Sequence, residues 1–179
     1  MEAIVAVDLK NGISKNGDIP WTSKKDMSHF YKKTTGNIVI MGRTTYFSIP
    51  EERRPLKNRL NIVLTSQPEL YKDISNSNVI FTKEDFIYIN YLFNPERYRK
   101  LYPFLQENFK IFVIGGKQVY ENFFPYCNTI WLTQIQKDYN CDLFLNYQDK
   151  LNNKMIITEI DDEDDELTII KYERRKTLT

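Results

Sequence analysis

Eight short apolar runs punctuate the chain: AIVAV (3–7), NIVIMG (37–42), LNIVLTS (60–66), NVIF (78–81), KIFVIGG (110–116), TIWLTQI (129–135), KMIITEI (154–160) and LTIIKYE (167–173). Several are apolar at consecutive positions. A strand covered on both faces, as in a parallel sheet, has no polar side to alternate with. Helical patterns lie between the runs, over 23–34, 43–48, 83–93, 96–107 and 117–124. Thr82 opens a Thr-x-x-Asp cap for the third, and Pro95 suits the first turn of the fourth. Strands alternating with helices predict an α/β fold with a mainly parallel central sheet of about eight strands and helices on both faces. The last two runs leave no room for a helix between them. They predict a C-terminal antiparallel hairpin, its tip the acidic DDEDDE of 161–166, read as a solvated loop rather than a binding tail. No repeat, low-complexity linker or second domain interrupts the pattern, so residues 1–179 read as one domain.

The bulk properties narrow the functions open to such a fold. A chain of 179 residues is long enough for a full-sized core. A net charge of +1 gives no electrostatic reason for a nucleic-acid partner. No apolar run approaches a membrane span, and MEAIVAVD lacks the basic-then-apolar layout of a signal peptide. Cys127 and Cys141 have no metal-type spacing and fit reduced, half-buried thiols of a cytoplasmic protein. His29 is the sole histidine, which argues against a triad or a zinc site, and no metal is expected.

The six glycines carry more information. Gly115 and Gly116 end the strand KIFVI and precede the helical KQVYENFF, so backbone amides could approach a phosphate or a flat ring closely. Gly42 repeats the arrangement, with Arg43, Thr44 and Thr45 opening a short helix. Either junction alone reads as a tight turn. The pair, at the C-terminal edge of a sheet where α/β folds bind ligands, points to a dinucleotide's phosphates. Thr65 and Ser66 follow the next strand, a place suited to an additional ribose phosphate. Arg59, in RPLKNRL beside Arg54 and Lys57, reads by composition alone as a solvated arginine; its functional reading is a fork for a substrate carboxylate.

Asp26 poses the sharpest question. Ser23-Lys24-Lys25-Asp26 fits a capping box, and spacing alone favours that reading. Yet Met27, Phe30 and Tyr31 bring apolar mass around the acid, which would desolvate it and raise its pKa. Such a carboxyl can hold the donor edge of a heterocycle or assist a proton transfer.

Five ordered blocks resemble dihydrofolate reductase: NGDIPW with an acid five residues after Trp21, IVIMGRTTYFSIP, RPLKNRLNIVLTS, FVIGGKQVYENFFP, and WLTQI followed by DLFL. Residues 68–108 match poorly and are read only as helices and one strand. The resemblance implies reduction of 7,8-dihydrofolate to tetrahydrofolate with hydride from NADPH. Asp26 then matches the carboxylate that bonds the pterin's N3 and 2-amino group, Thr133 the hydroxyl bonded to it, and Trp21 the residue that orders an active-site water. Ile4, Val5, Phe30, Ile49, Leu56 and Ile114 would line the pterin and benzoyl pocket, and Arg59 would hold the glutamate α-carboxylate. On the cofactor side the resemblance implies Gly42, Arg43, Thr44 and Thr45 at the first phosphate junction, with Leu64, Thr65 and Ser66 at the 2′-phosphate. Gly115, Gly116, Lys117, Gln118 and Val119 match the second junction, where a cis Gly-Gly bond is implied, and Tyr120 the neighbourhood of the nicotinamide. Ala6, Ile13, Gly17 and Ile19 complete the cofactor set, residues 11–20 forming a loop that closes over the nicotinamide.

Ser14 stands where the family usually has glycine. The Trp21-to-Asp26 spacing is of bacterial type, while SIPEERRPLKNR reads like the eukaryotic form. The resemblance further implies antifolate-like inhibitors and a monomer, unless the chain continues into a thymidylate synthase domain. A reductase of ribosylamino-pyrimidines would share the glycine junctions but would not need Arg59 or the Trp21-to-Asp26 spacing. A non-enzymatic module would not need to retain Asp26, Thr133 and Trp21.

Overall fold

The computed structural model describes residues 1–76, 78–83, 93–151 and 154–176. In chain order the strands are β1 (Glu2–Val7), β2 (Gly12–Ser14), β3 (Ile38–Gly42), β4 (Leu60–Leu64), β5 (Val79–Thr82), β6 (Ile111–Val113), β7 (Thr129–Ile135), β8 (Leu143–Phe144), β9 (Met155–Glu163) and β10 (Leu167–Arg174). The helices are α1 (Lys24–Thr34), α2 (Arg43–Ser48), α3 (Pro95–Leu101), α4 (Lys117–Phe123) and α5 (Tyr147–Leu151). The fold is α/β, with a mainly parallel central sheet of eight strands and an antiparallel C-terminal hairpin, as the alternating pattern predicts.

The chain divides into two compact units, Met1–Phe30 with Lys117–Thr179, and Tyr31–Gly116. In the second unit β5, β4, β3 and β6 lie side by side, all parallel. Ile38, Val39, Ile40, Met41, Leu60, Ile62 and Val63 are each fully buried. Burial at consecutive positions is the physical content of the unbroken apolar runs, since both faces of these strands are covered. In the first unit β1 runs parallel to β7, β7 antiparallel to β10, and β10 antiparallel to β9. Ala6 lies beside Thr133 and Ile4 beside Trp131, so these four share one face of the pleat. Val5, beside Leu132, points to the other.

Several boundaries differ from the sequence expectation. Helix α3 ends at Leu101, not 107, because Tyr102 precedes Pro103 and leaves the helical region (φ −128°, ψ 80°). Helix α4 gives way to a 3₁₀ turn at Phe124–Tyr126, around Pro125. The hairpin turn is narrower than 161–166: β9 runs through Glu163, leaving 164–166 as the turn. The short pair β2–β8 and the helix α5 have no counterpart in the sequence reading. The helix expected over 83–93 falls on 84–92, outside the described residues. Cys127 and Cys141 are free thiols, buried rather than half-buried, and burial pushes them up to about 12 and about 11. No helix among the described residues is long and apolar enough to cross a membrane.

Candidate active site

The first unit presents an inward acid. Ser23 ends the PW-T-S approach to α1, and its Oγ accepts the Asp26 amide at 3.2 Å, which is one half of a capping box. The Asp26 carboxyl does something else: it is hydrogen-bonded with Thr133 on β7. Burial raises the Asp26 pKa above the usual carboxylate value, the Thr133 hydroxyl works against that rise, and the Glu166 charge adds to it. The apolar shield expected from Met27 and Tyr31 is not there, for both are half exposed. The sheet supplies the burial instead. Asp26 and His29 are three residues apart on one helix face, while Thr133 and Trp131 are two apart on one strand face. Thr133 is 1% exposed, and the His29 ring meets Trp131 edge-on at 5.6 Å.

The neighbours of Asp26 are held as firmly. Trp21 is buried, with the Tyr139 ring at its edge, 5.7 Å away. Tyr120, on α4, donates its hydroxyl to the Ile4 carbonyl at 2.8 Å, and burial pushes its pKa far up. A phenol so committed orders the strand rather than moving protons. Ile4 and Val5 are both buried, yet the pleat sends only Ile4 to the Thr133 face; Val5 can serve that face through its backbone alone. Phe30 is half-buried, one turn beyond Asp26.

The segment 8–20 is organised by a residue the sequence reading missed. Asp8 is fully buried, and Oδ1 accepts the amides of Lys10 and Gly12 (2.9 and 2.8 Å), while Oδ2 accepts that of Tyr139 (3.0 Å). Burial acts to raise its pKa, but these three amides and the Cys141 thiol together hold it below the usual carboxylate range. A Cβ on Gly12 would collide with Cys141, so glycine is required where the two strands approach. Ile13 is half-buried in β2. Gly17 (φ 84°) and Asn16 (φ 50°) form the turn of a Lys15–Asp18 miniature hairpin, and Ile19 is exposed beyond it. The only sequence trace of the Asp8 hub is its place before Asn11-Gly12, a turn-forming pair.

The second unit brings the two glycine junctions together. The Gly42 amide donates to the Gly115 carbonyl at 2.8 Å, and the Gly115–Gly116 bond is cis. Gly115 has φ 120°, which a side chain would not tolerate, and a Cβ on Gly116 would lie 3.2 Å from Thr45 Oγ1. The result is a patch of bare backbone at the start of α2. Arg43 and Thr44 are exposed there, Arg43 reaching the Tyr71 hydroxyl at 3.3 Å. One strand over, the Thr65 amide bonds the Thr82 carbonyl, Ser66 is exposed, and Leu64 is half-buried. At the following helix start, Lys117 and Val119 are half-buried and Gln118 is exposed.

Arg59 is not a solvated arginine. It is 6% exposed; Nε donates to the Lys57 carbonyl (2.9 Å), Nη1 to Thr34 Oγ1 (3.1 Å), and the guanidinium lies over Tyr31. Arg54, its neighbour in sequence, is spent on the carbonyls of Phe47 and Ile49 and on the rings of Tyr46 and Phe47. Ile49, Leu56 and Ile114 are half-buried, with Leu56 fixed by the buried Asn61 from both its amide and its carbonyl. Asn61 and Thr34 were not anticipated from the sequence.

The family model described as dihydrofolate reductase matches residues 1–175. The chain is 32% identical to a dihydrofolate reductase of Bacillus subtilis (strain 168), over 97% of this chain and 94% of that one. It is 37% identical to a putative dihydrofolate reductase of Caenorhabditis elegans, over 83% and 78%. A bifunctional dihydrofolate reductase-thymidylate synthase of Daucus carota is 34% identical over 83% of this chain and 28% of its own length.

Proposed function

The chain belongs to the dihydrofolate reductase family of enzymes, and on that premise we propose that it reduces 7,8-dihydrofolate to 5,6,7,8-tetrahydrofolate, taking up hydride at C6 and a proton at N5. The observation that carries this reading is the Asp26 carboxyl, turned in from the first turn of α1 and bonded with Thr133. A buried carboxylate is costly without partners. The pterin's N3 and 2-amino group offer two parallel donors to it. With its charge opposite that edge, Asp26 favours the protonated pterin without touching N5, and Thr133 keeps the carboxyl aimed. Trp21 orders water near the pterin, while Ile4 and Phe30 give the ring an apolar bed. Ile49, Leu56 and Ile114 contact the benzoyl portion, and Arg59 holds the α-carboxylate of the glutamate tail.

NADPH is the reductant this proposal requires, supplying hydride when bound. The bare backbone at Gly42, Gly115 and Gly116 fits a pyrophosphate, because any Cβ at Gly116 would crowd Thr45. Arg43, Thr44 and Thr45 would hold the phosphates at the first junction, with Lys117, Gln118 and Val119 at the second. Leu64, Thr65 and Ser66 would take the 2′-phosphate. Ala6, Ile13, Gly17 and Ile19 would border the nicotinamide, with Tyr120 steadying β1 beneath it. Residues 1–179 would act as one reductase domain, monomeric or part of a longer chain, in the cytoplasm. Antifolates with a protonated amidine edge would compete for Asp26.

The test is the fall in NADPH absorbance on adding dihydrofolate. Turnover that depends on both, and is crippled by Asp26→Asn, supports the proposal; absence of turnover by the folded protein overturns it.

A further inference from the structure

The acidic tip of the C-terminal hairpin, the last residues of β9 from Asp161 and the turn at 164–166, has no role in the reaction as described, yet it meets the helix that carries Asp26. Lys25, the residue before Asp26, is paired with Asp164 and lies 3.6 Å from Asp162. His29, three residues after it, has Nδ1 3.6 Å from the Asp161 carboxylate. The turn is itself ordered. Asp164 Oδ1 accepts the amides of Glu166 (2.8 Å) and Leu167 (3.0 Å), while its Oδ2 takes Lys25. The Gln136 amide, next to the end of β7, donates to the Glu166 carbonyl at 2.8 Å.

We propose that this turn is a positioning device for the active-site acid: it clasps helix α1 on both sides of Asp26 and keeps a surplus of negative charge beside its carboxyl. The inference deepens the proposed role of Asp26 and rests on that reading. Three carboxylates, Asp161, Asp162 and Asp164, meet one lysine and one histidine on α1 among the described residues, and the run Asp161–Glu166 is acidic at every position. Glu166 acts on Asp26 in the direction of proton retention. The Lys25 contact, foremost among several hydrogen bonds, holds Asp164 down at about 2, so Asp164 stays charged through the neutral range. The other groups turned toward Asp26 are the Thr133 hydroxyl from β7 and the buried phenol of Tyr120 from α4, which stays protonated. The same negative field acts on a pterin held against the Asp26 carboxylate and favours its protonated form, in a reaction that consumes a proton.

The experiment reads Asp26 directly. In protein carrying carbon-13 at aspartate carboxyls, with the Asp26 resonance identified by its loss in Asp26→Asn, the pH titration is followed without ligands in three proteins. Glu166→Gln removes a negative charge, and Asp26 then titrates at lower pH than in the unsubstituted protein. Lys25→Met leaves Asp162 and Asp164 uncompensated, and Asp26 titrates at higher pH. Lys25→Arg restores the original titration. The midpoint of kcat against pH follows in the same two directions. Shifts of the same sign in both variants, or no shift in either, overturn the proposal, since a purely structural clasp alters melting temperature without opposite signs. Shifts of opposite sign in a protein that does not turn over dihydrofolate would leave this inference standing and remove the proposed function instead.

Discussion

Asp26 and Arg59 occupy matching situations in the two units, and the contrast between them assigns their roles. Each is an ionisable side chain withdrawn from water, Asp26 in part and Arg59 almost wholly, and each is held by a threonine hydroxyl: Asp26 by Thr133, Arg59 by Thr34. A hydroxyl aims a charged group without cancelling its charge. Burial disfavours the ionised form of both, raising the acid's pKa and lowering the arginine's. The consequences differ because the starting points differ. A raised carboxyl moves toward the pH at which enzymes work, whereas a lowered arginine is still charged throughout it. Under the proposed function the acid is then the group coupled to a proton and the arginine a permanent counter-charge.

The largest effect expected from this contrast is that of Asp26→Asn. If protonation is what the acid assists, kcat at neutral pH falls by roughly 10²–10⁴-fold and climbs again as pH drops and solvent supplies the proton. Stability should move the opposite way. A carboxyl whose folded pKa lies above its unfolded value binds its proton better in the folded state. Its favourable contribution is complete below the unfolded value, near 3.8, and is lost as pH rises through the folded one. Asp26→Asn should therefore melt higher than the parent near neutrality, the gap closing as pH falls toward that value. A variant that melts earlier yet turns over normally would make Asp26 a helix cap and nothing more.

Arg59→Ala comes next. A charge-assisted contact far from the reacting carbon acts on bound substrate and transition state alike, about 1.5–3 kcal/mol. KM for dihydrofolate should rise roughly ten- to 150-fold, with kcat little changed and no new pH dependence. An unchanged KM would place the glutamate carboxylate elsewhere, although Arg54 is already engaged by the carbonyls of Phe47 and Ile49.

Arg43→Ala combined with Ser66→Ala should narrow the preference for NADPH over NADH by about tenfold, an effect that shrinks as salt is added because both residues are exposed. Equal kcat/KM for the two cofactors in the unsubstituted protein would sink the 2′-phosphate assignment.

The smallest effects separate the two threonines. Each hydroxyl contributes on the order of 1 kcal/mol, so Thr133→Val and Thr34→Val should each cost a few-fold. Thr133→Val should shift the kcat midpoint to higher pH, because the hydroxyl opposes the rise that burial imposes on Asp26. Thr34→Val should raise KM and leave the pH profile in place. The same response from both variants would erase the distinction drawn between acid and arginine.

Much of this was legible in the chain itself. Unbroken apolar runs such as NIVIM require strands covered on both faces, because each consecutive side chain alternates sides and none can face water cheaply. Two strand–glycine–helix junctions at corresponding strand ends have to fall at one sheet edge, and Gly42 does bond Gly115. The block spacing around Trp21 and Asp26 pointed to the family. What sequence could not decide depends on contacts between distant segments. Whether Asp26 caps α1 or faces inward turns on Thr133, more than a hundred residues away, and whether Arg59 is solvated turns on Thr34 and Tyr31. Asp8 gathers amides from residues 10, 12 and 139, and the acidic turn finds its lysine on α1. Periodicity and turn chemistry are local properties, carried by neighbouring residues, so the chain alone settles them. The protonation and orientation of a buried charge belong to its whole surroundings, and only the tertiary structure assembles those.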